Sequence, residues 1–331
     1  MPKNRKNTFI LLAILLLIIV LLWHLKLRNN DSSAAYNFAI SDTASISKIF
    51  IADMKGKSIT LDREDGNWRV NNRFKARENT VNILLKTIKN ISVQRPVSES
   101  RYNMVIKDLA TNGVKIEIYL NNNESPTKTY FIGNNTDDHT GTYMILKNQE
   151  QPYIMHIIGF NGIMNPRYGL QGQEVNITIW RDRTIFDLNA KEITSINLIN
   201  EKDLKSSFSI KNTNGNQMLF NYQSKEEKIK KEAIITYLNK YQEINCETFK
   251  KEHLKQQLKN SDKLYSLFVA HQNKVDSLII YSMKKEGDAK TKEKNSTVER
   301  MYAILNDGDV MLIQNYVFNK LLITIDELKE K

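Results

Sequence analysis

The sequence predicts an α+β protein, in which one N-terminal transmembrane helix precedes a tandem duplication of an antiparallel-sheet-plus-helices unit. Three observations predict it. A nearly unbroken apolar stretch, Phe9–Leu27, lies near the N-terminus; short alternating runs separated by turn residues follow it; and the pattern that begins at Ile46 recurs from Ile193. The turns are too short for crossover connections, so the strands are expected to pair antiparallel.

Composition bounds the class of protein. The 331 residues are 41% hydrophobic and include only five Pro and twelve Gly, which favours about two packed domains over long flexible linkers. The net charge is +11, but the basic residues flank the apolar stretch or mix with acidic ones, which is typical of a solvated face. No nucleic-acid partner is therefore expected. Cys246 is the one cysteine, which excludes an intramolecular disulfide and a cysteine metal cluster.

The apolar stretch with Thr8 reaches the ~20 residues that a bilayer core requires of a helix. It exceeds the apolar core of a typical signal peptide, so a retained anchor through residues 8–27 is favoured. Cleavage at the small residues 32–35 is the alternative. Basic residues at positions 3, 5 and 6 favour a cytoplasmic N-terminus and an exported remainder.

The chain is accordingly divided into four parts. These are the tail and anchor, a juxtamembrane linker, a first α+β unit and a second one, at residues 1–28, 29–45, 46–190 and 191–331.

Within the first unit, Asp65-Gly66 between alternating runs predicts a β-hairpin. An apolar stripe from Val81 to Ile91 predicts an amphipathic helix, and Val93–Val97 reads as an edge strand stopped by Pro96. A second helix, four strands and a short helical turn ended by Pro166 complete the unit. Their predicted ranges are Arg101–Ala110, Val114–Leu120, Lys128–Ile132, Thr142–Leu146, Tyr153–Ile158 and Gly159–Pro166.

The second half repeats this order. Ile46-Ser-Lys-Ile matches Ile193-Thr-Ser-Ile, and Asp65-Gly66 matches Asn214-Gly215. The helix stripe matches position for position at a separation of 153, as 234 − 81 for its first members. The separation changes only in the loops, where insertions are tolerated. The sequence therefore predicts a tandem duplication.

The residues Asn134–His139 form the most suggestive polar cluster. Asp137, Asp138 and His139 together have the ligand types of a cation site, but Asn and Asp also favour turns, and a polar hairpin turn is the favoured interpretation. No zinc, phosphate-loop, dinucleotide or nucleophile-elbow motif occurs in the sequence. We therefore expect no catalytic residue, no cofactor and no metal, and a protein that is not an enzyme.

The candidate interaction or ligand surface consists of Gly159, Phe160, Gly162, Trp180 and Arg181. The segment Gln171–Asp187 is expected to bridge the two units or to pair with one sheet. Two interpretations stay open. A flat patch here favours a protein partner, whereas a deep pocket between the units favours an envelope glycan, lipid or peptide ligand.

Several stretches of the first unit carry a family resemblance. They are Ile46-Ser-Lys-Ile-Phe-Ile-Ala-Asp, Trp68-Arg-Val-Asn, Ala76-Arg77, Val93-Gln-Arg-Pro-Val97, Gly141-Thr-Tyr-Met144, Pro152-Tyr153, and Gly159-Phe-Asn-Gly162 through Pro166-Arg167. In these stretches the chain resembles the bacterial membrane-anchored family named domain of unknown function 4340. The resemblance implies an exported, membrane-anchored, non-catalytic protein. It also implies an auxiliary role beside an ABC-transporter-type or gliding-type system. The anchor, the duplication and the missing catalytic motifs lead us to expect a bacterial inner-membrane protein with a periplasmic region and an envelope protein partner.

Overall fold

The computed structural model describes residues 15–17, 36–213, 216–250, 253–258, 261–283 and 299–330. The chain forms two compact units, Met1–Asp182 and Arg183–Lys331. The boundary therefore lies eight residues before the predicted one at 190/191, because residues 184–186 form a strand with the second unit.

The first unit is built on nine strands and two long helices. The strands are β1 (Ile46–Ala52), β2 (Ser58–Glu64), β3 (Asn67–Val70), β4 (Phe74–Lys75), β5 (Ile91–Pro96), β6 (Val114–Leu120), β7 (Lys128–Asn135), β8 (Thr142–Leu146) and β9 (Tyr153–Ile157). They form one antiparallel sheet in the order β4-β3-β2-β1-β6-β7-β8-β9-β5. The helices are α1 (Glu78–Asn90) and α2 (Glu99–Asn112). A small hairpin and a short helix follow: β10 (Leu170–Gln171), β11 (Glu174–Val175) and α3 (Ile177–Trp180).

Local sequence explains the hairpin at one end of this sheet. Asp65 and Gly66 both have positive φ, 47° and 82°, as the tight turns favoured in hairpins require. The turn sets Glu64 opposite Asn67 and Leu61 opposite Val70. The hairpin predicted at Asp65-Gly66 is confirmed.

The two long helices contribute to different apolar clusters. Helix α1 buries Val81, Leu84 and Ile88 in the main core. Helix α2 buries Val105 and Leu109 in a smaller cluster with Tyr143 and Ile154. Met144 and Met155, the next residues along β8 and β9, belong to the main core. Because successive side chains of a strand point to opposite faces, the two helices cover opposite faces of the sheet.

The described residues of the second unit form eleven strands and three helices. The strands are β12 (Thr184–Phe186), β13 (Ile193–Asn200), β14 (Phe208–Thr213), β15 (Asn216–Asn221), β16 (Glu226–Glu227), β17 (Ile244–Asn245), β18 (Thr248–Phe249), β19 (Lys263–His271), β20 (Lys274–Tyr281), β21 (Arg300–Leu305) and β22 (Val310–Gln314). The helices are α4 (Lys231–Leu238), α5 (His253–Leu258) and α6 (Asn315–Phe318). Nine strands form an antiparallel sheet in the order β16-β15-β14-β13-β19-β20-β21-β22-β18. With β13 matched to β1, this is the strand order of the first unit.

Two predictions about local structure are wrong. Residues 36–45 are not a linker: Phe38 is 1% exposed and packs on Tyr130 and Tyr153, so the packed region begins before Ile46. Pro166 does not end a helical turn, because it lies in the first turn of a 3-10 helix, Asn165–Tyr168. Proline is tolerated there, since its missing N–H would have no partner in the helix.

The predicted anchor, Phe9–Leu27, lies outside the described residues except for residues 15–17, which are helical. Of the helices in the described ranges, none has the length and apolar character needed to cross a membrane. The predicted match of Asn214-Gly215 to the first hairpin turn also lies outside the described residues.

Candidate interaction surface

An open groove of about 470 Å³ lies on the first unit, on the side of the sheet that α2 covers. Strand β5 and the start of α2 form one wall, and the turn between β7 and β8 forms the other. We call it the α2 groove. Its lining residues are Arg95, Pro96, Val97, Ser98, Arg101, Thr136, Asp137, Asp138, Tyr143 and Ile154.

The floor of the groove is apolar and fixed in place. Val97, Tyr143 and Ile154 are each at most 6% exposed and belong to the cluster that α2 covers. The Val97 N–H donates to the Pro152 carbonyl at 3.1 Å, which joins the end of β5 to the start of β9. The floor is therefore part of the folded core and does not need to form on binding.

One side of the rim is an ion pair. The Arg101 guanidinium lies 2.7 Å from the Asp137 carboxylate and also donates to the Tyr143 hydroxyl at 3.4 Å. The hydrogen bond to Asp137 raises the pKa of Arg101. Both side chains are largely exposed, so this pair fixes the orientation of Arg101 more than it stabilises the fold.

Asp138 holds the turn between β7 and β8. Its carboxylate accepts hydrogen bonds from the Thr136 hydroxyl at 2.5 Å and from the Thr140 N–H at 3.1 Å. These hydrogen bonds, with the one from Thr136 the largest cause, lower the pKa of Asp138 to about 2. In addition, His139 has a positive φ of 55°. These contacts favour the turn interpretation of Asn134–His139 over the cation site.

Arg95 completes the rim. Its side chain is exposed, and in the described part of the chain it makes no ion pair or side-chain hydrogen bond. Its charge contributes to the low pKa of the nearby Asp138. Arg95 therefore presents a guanidinium at the groove that is available to a ligand.

The groove adjoins an edge of the sheet. Strand β5 is the last strand of its sheet and pairs on one side with β9. A register shift between Val93 and Arg95 marks a β-bulge, and Pro96 ends the strand. The predicted edge strand at Val93–Val97 is confirmed, and it begins two residues earlier.

In the second unit the residues that match the start of β5 form β17, which pairs with β12 in a two-stranded sheet, while β18 ends the nine-stranded sheet. Val93 corresponds to Cys246 at the separation of 153, and the Cys246 N–H donates to the Arg183 carbonyl at 2.9 Å. The next N–H, of Glu247, donates to Leu312 in β22 at 2.8 Å. Because consecutive N–H groups of a strand point to opposite sides, β12 lies on the outer side of this strand, away from β22. Cys246 is buried, whereas Val93 is partly exposed.

The structure corrects the predicted role of Trp180. Its side chain is 0% exposed and belongs to the core of the first unit, so it offers no surface to a partner. Gly169 makes room for the indole: with φ of +66°, a Cβ at this position would lie 2.4 Å from the ring. The neighbouring Arg181 stacks on Phe74 with its guanidinium 3.6 Å from the ring centroid. Arg77 donates its N–H to the Trp180 carbonyl, which ties α3 to β4 and α1.

Gly159, Phe160 and Gly162 form a turn after β9. The Phe160 N–H donates to Ile157, and the Arg167 guanidinium lies 4.7 Å from the Phe160 ring. Arg167 also donates to the Thr87 hydroxyl, which joins this turn to α1. The predicted surface residues therefore divide between the interior, a stacked arginine and this turn, and none of them lines the α2 groove.

Sequence comparison places the chain in a family. A model of the family described as Domain of unknown function (DUF4340) matches residues 68–263, 196 of the 331 residues. No curated protein and no solved structure gives a significant match. The matched region runs from β3 through both helices of the first unit into the start of β19, and it contains the whole α2 groove. The chain belongs to the DUF4340 family.

Proposed function

We propose that this chain is a non-catalytic, membrane-anchored protein of the bacterial inner membrane. Its exported region carries two duplicated units and binds another envelope protein as a scaffold component of a cell-envelope assembly. An auxiliary role beside an ABC-transporter-type or gliding-type system is part of the proposal.

Two features support the location and the duplication. The apolar stretch Phe9–Leu27 has the length and flanking charges of an anchor. The two sheets share one strand order, and the matched helix positions Val81 and Ile234 are both buried. A single duplication accounts both for the shared strand order and for the matched helix positions.

The observation that carries the binding role is the α2 groove beside the edge of β5. Its apolar floor is preformed, Arg101 is oriented by Asp137, and Arg95 is available to a ligand. A preformed apolar floor with a few placed polar groups is the general form of a recognition site. The Asp138 carboxylate is held by turn hydrogen bonds, so the polar groups of the rim are arranged for positioning and charge recognition.

The test is recovery of the full-length, C-terminally tagged chain from detergent-solubilised bacterial membranes at its native expression level. We expect one envelope protein in stoichiometric ratio. Arg95→Glu should reduce its recovery about tenfold, since the reversal removes one charge pair and adds repulsion. Lys107→Glu, an equal charge change at an exposed position of α2 outside the groove, should leave recovery unchanged.

Repeated recovery of the chain alone contradicts the proposal. If the purified chain instead releases a stoichiometric glycan, lipid or peptide on denaturation, it is a ligand-binding module. Equal losses with Arg95→Glu and Lys107→Glu place the contact outside the groove.

A further inference from the structure

We propose that the outer edge of β5 binds its partner by strand addition: an extended segment of another envelope protein pairs antiparallel with Ile91–Val93. This inference rests on the proposed function and specifies how the partner is held. In this mode of recognition, main-chain hydrogen bonds supply affinity and alternate side chains supply specificity.

The second unit provides the internal precedent. There the matching stretch, residues 244–246, pairs antiparallel with β12 on the side away from β22, and β12 and β17 form a two-stranded sheet beside the nine-stranded one. Thr184 lies opposite Asn245, and Phe186 lies opposite Ile244. The outer side of this stretch therefore accepts a strand, and that strand comes from the segment that precedes β13.

In the first unit the corresponding segment follows another path. One backbone hydrogen bond before the first long strand is the same in both units. The Ile40 N–H donates to the Ile88 carbonyl, and the Leu188 N–H donates to the Tyr241 carbonyl, both at 3.1 Å. Upstream of Leu188 the second segment continues as β12. Upstream of Ile40 the first segment turns, with Phe38 N–H donating to Tyr36 at 3.2 Å, and the Tyr36 ring packs on Tyr153.

Residues 36–38 are thus the counterparts of β12 in the first unit, but they form no strand. Within the described residues, nothing pairs with the outer side of β5. No described residue fills, in the first unit, the positions that β12 fills in the second, and we assign them to another chain.

The open stretch is limited to the first half of β5. Edge strands are commonly protected from unwanted pairing by bulges, charged side chains and proline. All three occur here, but only after Val93: the bulge lies between Val93 and Arg95, Arg95 is charged, and Pro96 has no N–H. Ile91–Val93 carries none of these protections.

The two faces of an added strand would meet different surroundings. Val93 packs against the main core on the face that α1 covers, and it is partly exposed. Arg95 borders the α2 groove and has no ion pair with a described residue. The fitting segment therefore has apolar side chains at alternate positions and a carboxylate within reach of Arg95.

The same charges disfavour a second copy of this chain as the occupant. An antiparallel pairing of two β5 strands centred on Ser92 brings Arg95, three residues after it, toward Lys89, three residues before it, of the other copy. Like charges opposite one another on neighbouring strands are destabilising. We therefore commit to a different protein with an acidic, alternating segment.

The experiment places a photocrosslinking amino acid at Ser92 of the full-length chain in intact cells. The matched control places it at Asn245, the counterpart of Ser92 at a separation of 153, whose outer side already pairs with β12. We expect one discrete heterologous adduct from Ser92 and about tenfold less from Asn245. Mass spectrometry of the crosslinked peptide should identify an alternating apolar segment with an acidic residue.

A second variant tests the pairing itself. Val93→Lys, combined with the crosslinker at Ser92, should lower the adduct yield about tenfold, because a charged edge disfavours strand addition. Circular dichroism of the purified variant checks that the unit still folds; if it does not, Arg95→Glu in the same background replaces it, with the same expected loss.

Four outcomes overturn the inference: equal adducts from Ser92 and Asn245, an adduct with residues 29–35 of the same chain, an adduct with a second copy, or no adduct. If a stoichiometric partner is recovered from membranes while Ser92 gives no adduct, strand addition is wrong and the proposed function stands. If neither experiment yields a partner, both are wrong.

Discussion

Strand β5 of the first unit ends its sheet with Val93 partly exposed, whereas the matching residue of the second unit, Cys246, is buried and its N–H is bonded to Arg183. The two sheets otherwise share one order of nine strands. The shared architecture cannot explain the binding role that we propose for the first unit alone. The difference teaches that functional residues are best sought where one unit departs from the other.

The helix that covers the main core shows a second difference. Leu84 and Ile88 of α1 correspond to Tyr237 and Tyr241, whose buried hydroxyls bond each other at 2.8 Å. Tyr237 also donates to the Leu321 carbonyl at 2.9 Å, in the segment that follows α6. Burial raises the pKa of both phenols. In the first unit the buried phenol pair is instead Tyr130 of β7 and Tyr168, whose hydroxyls bond at 2.9 Å. Each core thus contains a bonded tyrosine pair, placed on different elements.

The largest expected effect tests whether the two units are independent. Ile49 and Ile196 occupy matching positions in β1 and β13, and both are 0% exposed. Ile49→Ala and Ile196→Ala should each cost about 2–5 kcal/mol of unfolding free energy, from lost apolar burial and the cavity left behind. Hydrogen exchange should show the loss of protection confined to the substituted unit. Equal loss in both units would contradict the division at residue 182/183.

A smaller effect tests the segment that closes the first unit. Gly169→Ala and Gly172→Ala both place alanine at positive φ, +66° and +64°, at about 1–2 kcal/mol each. Only the first adds a Cβ against Trp180, for a further ~1–3 kcal/mol of overpacking. Tryptophan fluorescence follows the first unit, since residues 183–331 contain no Trp. Equal midpoints of denaturation for the two variants would argue against the Gly169–Trp180 contact.

The smallest effect concerns the turn that borders the α2 groove. The pKa of Asp138 is lowered to about 2, below the ordinary value of about 3.9. Its contribution to stability is therefore present above pH ~4 and is lost as pH falls toward 2. The denaturation midpoint, followed by tryptophan fluorescence, should therefore fall between pH ~4 and 2. Asp138→Asn should make that fall smaller.

The matched change at the turn removes the donor. Thr136→Val should raise the pKa of Asp138 toward its ordinary value, because the hydrogen bond from Thr136 is the largest cause of the shift. NMR titration of the carboxyl groups measures the pKa of Asp138 in the unsubstituted chain and in Thr136→Val. A titration of Asp138 near 3.9 in the unsubstituted chain would show that the turn does not hold the carboxylate.

Local chemistry made much of the fold predictable. The Asp65-Gly66 turn, the stripe of α1 and the alternation of β6 each depend on neighbours in the chain, and the structure has all three. The recurrence of the pattern from Ile193 likewise anticipated the second sheet, whose strand order matches the first.

The site was less accessible to sequence reasoning because its parts meet through distant pairing. Sequence identified β5 as an edge strand and residues 134–139 as a turn, but not that β5 pairs with β9, about 60 residues away. That pairing brings Arg95 and Asp138 to one groove. Trp180 was misassigned for a related reason: the room for its indole is made by Gly169, eleven residues earlier, and no periodicity reports it.

Pro96 sets a limit on how assemblies built on this edge can grow. Because the ring nitrogen of Pro96 has no hydrogen, β5 offers no main-chain donor to an added strand at this position. The ladder stays only a few residues long, and it cannot extend into the continuous sheet through which long open edges nucleate fibres. A partner held this way would be captured singly and released readily, so association through this edge would be reversible rather than polymerising.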